Sequence, residues 1–440
     1  MNNIPKDWCV YKLKDLSIIG DGAHASIKRI EKGVLYLTSK NFGKDRLDLS
    51  KVDYISKEDF ARYFKNKSKA LTKPEQGDVL IGIIGTIGSP YLVGNGDEFG
   101  LSSSVSIIRA DTAKLQPEYL YYWFKTPLFQ SALNQIKSGV AQSFLSLAMI
   151  GSLPCVYPLQ IKTQQKIAQI LSAYDDLIEN NLKRIKLLEE MAQITYEQWF
   201  VRMKFPNHKT TPIDAETGLP EGWEKRDILE LCQKITDGTH DSPKQVEQGI
   251  PLITGKHILN GFINFNSAYL ISEEDHKKIK KRSGLEKGDI LFSNIGTLGN
   301  IGVVVQEFEY SCKNVIIFKR KQGFDNFLYT YLSSQHTKEK LDSQSSGVAQ
   351  KFYSLKFIRG LNEILPADKL INDFDDIVSP IYKLKYQLNK QNQHLKEARD
   401  ILLPRLMTGM IDVDKIKLPQ PLDKNSQTAP PHNKEAIPSE

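Results

Sequence analysis

Four cysteines in 440 residues, scattered as Cys9, Cys155, Cys232 and Cys312 with no Cys-x-x-Cys spacing, exclude a disulfide framework and a thiolate zinc site. They read as reduced packing residues. Long apolar runs are missing as well. The longest, Val79 to Gly88, is far too short and glycine-rich to span a bilayer. The first residues, Met1 to Trp8, are polar and include Pro5, Lys6 and Asp7, so a secretory leader is not expected and a cytoplasmic location is. No Gly-x-x-x-x-Gly-Lys-[Ser/Thr] loop is present to cradle ATP. A methyltransferase acting on an exocyclic amine needs an Asn/Asp-Pro-Pro-aromatic loop. The one Pro-Pro here, Pro430-Pro431, is followed by His432. No metal-binding or catalytic grouping stands out, and the chain alone is not expected to be an enzyme.

What is there, above all, is a duplication. Ile4-Pro-Lys-Asp-Trp8 returns as Leu219-Pro-Glu-Gly-Trp223, and Asp21-Gly-Ala-His24 returns as Asp237-Gly-Thr-His240. Thr38-Ser-Lys40 matches Thr254-Gly-Lys256. Gly77-Asp-Val-Leu80 with Ile84-Gly-Thr-Ile-Gly88 matches Gly288-Asp-Ile-Leu291 with Ile295-Gly-Thr-Leu-Gly299. Ser138-Gly-Val-Ala-Gln-Ser-Phe144 matches Ser346-Gly-Val-Ala-Gln-Lys-Phe352. The matches keep their order at a period of about 210 residues, far longer than any solenoid unit, so each copy is a domain with an appendage. The domains read as mixed α/β. Val79–Ile84, Val105–Ile108, Val303–Val305 and Val315–Phe318 have strand character, with helices expected over Pro117–Gln135 and Asn326–Leu341.

The appendages are long amphipathic helices. Ile161 to Phe200 contains neither Gly nor Pro. Its apolar residues follow a heptad, with Ile167, Tyr174, Leu188 and Thr195 in one series and Leu171, Ile178, Ile185, Ala192 and Trp199 in the other. The second appendage repeats the pattern with Phe374, Ile381, Leu388, Leu395 and Leu402, and Ile377, Leu384 and Ala398 between them. A helix of about 40 residues extends about 60 Å and would not keep its stripe in water alone. The expectation is an α+β chain in which the two helices form an antiparallel coiled coil with approximate internal two-fold symmetry. Asn181 falls where the other copy has Leu388. It either fixes the register of the seam or marks an exposed end of it.

Charge is informative only in places. The formal net charge of +7, from 59 Lys and Arg against 52 Asp and Glu, leans weakly toward an anionic partner. Upstream of each Gly-Asp-[Val/Ile]-Leu the chain is basic. The first copy has Arg62, Lys65, Lys67, Lys69 and Lys73 there, and the second Lys277, Lys278, Lys280, Lys281, Arg282 and Lys287. Matching clusters suit a phosphate footprint, while solvated surface is the plainer reading. His24 and His240 are candidate donors to DNA, or parts of an Asx-type turn. Lys40 and Lys256 are candidates on the same footing. Gln142 and Gln350 could pair with adenine, yet a residue shared by two domains better suits phosphate contact or folding than discrimination.

These marks, together with Ala398-Arg-Asp-Ile-Leu-Leu-Pro-Arg-Leu-Met-Thr-Gly-Met-Ile411, resemble the specificity subunits of type I restriction–modification systems. The likeness covers Ile4 to Val413. It departs in the Ile-Pro-Lys-Asp-Trp form of the first mark and in a first helix without the Leu-Pro-Arg-Leu ending. The resemblance implies a non-catalytic, two-headed reader of double-stranded DNA. Residues 1–158 and 219–367 would be target-recognition domains, 159–205 and 368–412 the helices, 206–218 a linker and 413–440 a disordered tail. It implies docking of two methyltransferase subunits, which would hold S-adenosylmethionine, and two motor–nuclease subunits, which would use ATP and Mg2+. A stand-alone scaffold or regulator, and a self-contained restriction enzyme, are the rival readings.

Overall fold

A computed structural model describes residues 5–43, 46–65, 70–138, 144–344 and 352–417. The chain divides into two compact units, 1–178 with 393–440, and 179–392. The division falls inside the two long helices rather than at the domain borders expected from sequence, so each unit owns a stretch of both.

The first unit is built on a four-stranded antiparallel sheet in the order Ser17–Asp21, Val105–Ala110, Val79–Gly82, Pro90–Leu92. Successive side chains on a strand point to opposite faces. Val79, Ile81 and Ile108 therefore enter one core with Tyr119, Trp123 and Phe129, while Leu80, Val105 and Ile107 enter another with Leu37, Phe42 and Leu101. Burial on both faces explains why Val79 to Ile83 reads as an unbroken apolar run rather than an alternation. A three-stranded sheet, Asp53–Ile55, Val34–Leu37 and Phe99–Leu101, covers the second core, its last pair parallel. Trp8–Lys12 pairs with Pro154–Pro158 at the base.

The second unit repeats this topology and adds a short hairpin, Ile258–Leu259 with Phe262–Ile263. Its four-stranded sheet runs Lys234–Asp237, Val315–Lys319, Ile290–Ser293, Ile301–Val303. Its three-stranded sheet runs Tyr269–Ile271, Ile250–Ile253, Ser311–Cys312, and its basal ribbon joins Glu224–Asp227 to Asn362–Leu365. The strand expected at Val303–Val305 lies two residues earlier, at Ile301–Val303.

Each expected domain helix is two helices. Pro127 disfavours helical backbone at Thr126, which is extended, so Pro117–Lys125 ends and Pro127–Ser138 starts anew with the Thr126 hydroxyl accepting from Phe129 N at 3.2 Å. Ser334 performs the same task without a proline, accepting from Thr337 N at 3.2 Å between Asp325–Ser333 and Gln335–Gln344.

The long helices span Ile161–Tyr196, continued by a π-turn Glu197–Val201, and Asp368–Met407. Within each unit they run antiparallel. In the first, Asp175 Oδ1 meets Arg399 Nη1 at 2.6 Å, and Lys166 donates to Val413 O at 2.9 Å. In the second, Asn181 donates to Asn392 Oδ1 at 3.0 Å, Glu189 pairs with Lys385 at 2.6 Å, and Tyr196 packs on Phe374. Ile167, Leu171, Ile178 and Ile185 are buried, as are Phe374 and Leu388, whereas Leu188, Ile381, Leu395 and Leu402 are half-buried flanks. The buried row on the second helix is Val378, Lys385, Asn392, Arg399 and Leu406, seven residues apart. Three of these five are polar, so a search for apolar heptads settles on the neighbouring row. Asn181, 6% exposed, is a buried member of the seam rather than its frayed end.

Residue 413, the expected start of the tail, is part of the fold. Val413 is 2% exposed in the core of the first unit, within the turn Val413–Lys415. Residues 418–440 lie outside the described residues.

Candidate nucleic-acid interface

The repeated motifs, separated in the chain by up to about 120 residues, meet at one edge of each unit. In the first, the Asp21-Gly-Ala-His24 turn lies along Leu101 to Ser104. Ala23 N donates to Leu101 O at 2.8 Å, and Ser103 N to Ala23 O at 3.2 Å. That segment in turn holds the Thr38-Ser-Lys40 turn, through Ser102 N to Leu37 O at 3.0 Å and Ser39 N to Ser104 Oγ at 3.0 Å. The Ser39 hydroxyl then reaches Ile84 O in the Ile-Gly-Thr-Ile-Gly loop, and Ile84 bridges to Phe144 at the end of the Ser-Gly-Val-Ala-Gln segment.

The second unit repeats the chain of contacts with different residues. Thr239 N donates to Cys312 O at 3.0 Å, Asn314 N to Thr239 O at 3.1 Å, and Lys313 N to Ile253 O at 2.9 Å. Ser293 Oγ lies 3.1 Å from Thr297 Oγ1 beside the Gly255 turn, and Ile295 bridges to Phe352. Ile84, Phe144, Ile295 and Phe352 are all exposed at this edge. Gly22 and Gly238 are needed because the turn presses on neighbouring backbone. A Cβ on Gly22 would overlap Leu101 O, and one on Gly238 would overlap Cys312 O. The loop glycines Gly85, Gly88, Gly296 and Gly299 all have positive φ, which makes these segments tight turns.

The motif carboxylates do not make the backbone turn expected of them. Asp21 Oδ2 meets His24 Nε2 at 2.7 Å, and Asp237 Oδ2 meets His240 Nε2 at 2.7 Å. His240 Nδ1 also lies 3.0 Å from Asn314 Oδ1, and Arg282 clamps the other oxygen of Asp237. Burial pushes the Asp237 carboxyl up, but hydrogen bonds from Arg282 and His240 outweigh it and hold the group below the usual carboxylate range. Both histidines remain exposed, at 74% and 58% of the side chain, with the ring oriented by its carboxylate. Each can present a fixed edge to a polyanion.

Lys40 and Lys256 are exposed on their turns at the same edge. Lys65 is exposed just after the helix Lys57–Tyr63, whereas Lys67, Lys69, Gln142 and Gln350 lie outside the described residues. Lys277, Lys278, Lys280 and Lys281 lie on the helix Glu273–Ser283, whose end reaches the edge through Arg282. Their charge is largely answered locally. Lys277 pairs with Glu273 at 3.7 Å, Lys278 with Glu274 at 2.8 Å, and Lys280 with Glu309, whose carboxyl it holds below the usual range. Such exposed pairs contribute little in water, so a phosphate could displace the carboxylates at small cost.

Arg282, Lys313 and Asn314 also belong to the edge, although the sequence did not single out the last two. Lys313 bonds Ser242, and Asn314 has φ of 51°. Their only sequence signal is the position of the strand that delivers them.

Away from the edge, the aspartate of each Gly-Asp-[Val/Ile]-Leu is buried and structural. Asp78 accepts from Arg109 Nε and Nη2, each at 2.8 Å, while Asp289 pairs with Lys319 at 2.7 Å. Among the described residues no cluster of His, Cys, Asp and Glu could hold a metal ion, and no helix is long and apolar enough to cross a membrane.

The family model described as the type I restriction modification DNA specificity domain matches the chain twice, over residues 5–190 and 220–397. The type I restriction enzyme MjaIX specificity subunit of Methanocaldococcus jannaschii is 25% identical over 94% of this chain and 96% of its own length. The EcoBI specificity subunit of Escherichia coli is 24% identical, covering 87% of this chain and 84% of its own. The crystal structure of a type I restriction–modification S subunit from M. genitalium covers 92% of this chain and 97% of its own at a TM-score of 0.51 and 17% identity, a likeness of fold.

Proposed function

The chain belongs to the type I restriction–modification DNA specificity family, its domain present twice, and we propose from this that it is the sequence-reading, non-catalytic subunit of such a complex. Each unit reads one half of a bipartite, asymmetric DNA target with the edge where its motifs meet. The long helices set the unspecified gap as an antiparallel coiled coil and dock two methyltransferase subunits. Those partners supply S-adenosylmethionine for adenine N6 methylation, and two motor–nuclease subunits supply ATP- and Mg2+-dependent cleavage.

The observation that carries this reading is the convergence of the same turns at one edge of both units, with shared residues orienting and differing ones available to discriminate. His24 and His240 are the shared part. Ser102 and Ser103 in the first unit stand where Lys313 and Asn314 stand in the second, so the two edges offer different donor sets to the major groove. The shared side chains suit phosphate contacts, which position a protein without reading sequence.

Selection from a randomised duplex library, using the full chain with its methyltransferase partner, tests the proposal. The expected product is two unlike specified blocks at a fixed separation. One continuous block, or no sequence preference, refutes it.

A further inference from the structure

In the second unit the long helix pair is fastened directly to the recognition edge, and the fastener is a buried lysine. Lys385 is fully buried. Its ammonium pairs with Glu189 at 2.6 Å and donates to the Tyr329 hydroxyl at 2.8 Å. The rings of Tyr329, Phe262, Tyr386 and Tyr382 surround it at 4.7, 4.9, 5.6 and 5.7 Å. Desolvating an ammonium is costly unless it is paired and hydrogen-bonded, and here both the charge partner and the aromatic faces are supplied.

One wall of this cage belongs to a hairpin, Ile258–Leu259 with Phe262–Ile263, which grows out of the Thr254–His257 turn carrying Lys256. Its tip is Asn260-Gly261, with φ of 52° and 81°, a two-residue turn requiring left-handed backbone at both positions. The tip presses so closely on the cage that a Cβ on Gly261 would overlap Lys385 Nζ and Tyr329 Oη. The same hairpin is tied to the second motif loop. Asn300 donates to Ile258 O at 2.8 Å, and Gly261 bridges to Gly302 just beyond Ile295-Gly-Thr-Leu-Gly299.

Among the described residues the first unit is built differently. Ile178 stands at the position matching Lys385, and Tyr121, the match of Tyr329, accepts at 2.7 Å from Lys125 of its own helix rather than from a lysine of the long helix; the residues matching the Asn260-Gly261 tip, 44 and 45, lie outside the described residues.

We propose that Lys385 is a positioning residue for sequence discrimination by the second unit alone: through the Asn260-Gly261 tip it sets the two motif turns against the long helices. The proposal rests on each unit reading one half-site.

The test uses the full chain in its complex and the selection described above, with competition titrations on duplexes altered in one half-site at a time. In Lys385→Met, discrimination within one half-site is expected to fall about tenfold, the scale of one lost base contact, with the other half-site unchanged. Lys385→Arg is expected to restore much of it. Gly261→Ala approaches the same contact from the hairpin and leaves the helix pair intact, so it should relax the same half-site, and it decides the matter if Lys385→Met does not fold. Unchanged discrimination in both halves, or an equal loss in both, overturns the proposal. A wild-type chain selecting one continuous block would instead defeat the two-headed reading itself.

Discussion

The asparagine pair in the seam offers a sharp energetic test. Asn181 and Asn392 are 6% and 3% exposed and share a 3.0 Å hydrogen bond within the second unit. Replacing Asn181 with Leu sets methyl groups against an amide that has lost its partner across the seam. A buried hydrogen bond contributes about 1 kcal/mol net, whereas stripping a buried amide of its partner costs about 1–3 kcal/mol. Asn181→Leu and Asn392→Leu should therefore each destabilise by about 2 kcal/mol. The double variant makes an apolar contact of similar volume and should lose clearly less than the sum of the two single losses, because it sets no amide against methyl groups across the seam. In a unit of this size about 2 kcal/mol corresponds to a fall of about 4–8 °C in Tm. The assay is thermal and urea unfolding of the four proteins of the cycle, with an expected coupling of about 2 kcal/mol or more. Additive losses would refute the reasoning, since they would mean that the two amides do not depend on each other.

Other consequences are equally direct. Asp289→Ala removes the nearer carboxylate of Lys319, whose side chain is 15% exposed and keeps Glu286 at 3.6 Å and Gly284 O at 2.6 Å, so the loss should not exceed the low end of the 3–5 kcal/mol range for broken buried pairs, about 3; urea unfolding reads it. The Asp237 carboxyl is held below its usual range in the fold, so its stabilisation is present above the unfolded value of about 4 and lost as pH falls through the lower folded one. Asp237→Asn should accordingly flatten that part of an acid unfolding curve. Neutralising Lys277, Lys278, Lys280 and Lys281 together should weaken binding on all duplexes alike and shallow the salt dependence, as expected for phosphate contacts; an unchanged slope would assign these lysines to their glutamates alone.

The duplication was legible because matched motifs keep their order, and it carried the fold with it. Convergence of the motifs was not, because Asp21, Ser39, Ile84 and Phe144 are joined by sheet topology rather than spacing. The second helix misled in a specific way. Ile381, Leu395 and Leu402 look like a seam, but Lys385, Asn392 and Arg399 occupy it, each matched by a polar residue on the first helix. A count of apolar positions cannot register a buried charge that has found its partner. The lysine cluster had a readable answer: Glu273 and Glu274 precede Lys277 and Lys278 by four residues, the spacing of helical ion pairs. No local signal foretold that the Asn260-Gly261 tip would rest on Lys385, since the two lie far apart in the chain and meet only in the folded unit.

Adenine-methylation mapping of genomic DNA tests the central claim most directly, in cells expressing the methyltransferase partner with and without this chain. The account predicts that one split, asymmetric methylated sequence is present with the chain and lost without it. Methylation at the same sites in its absence, with the partner shown to be expressed, would contradict it.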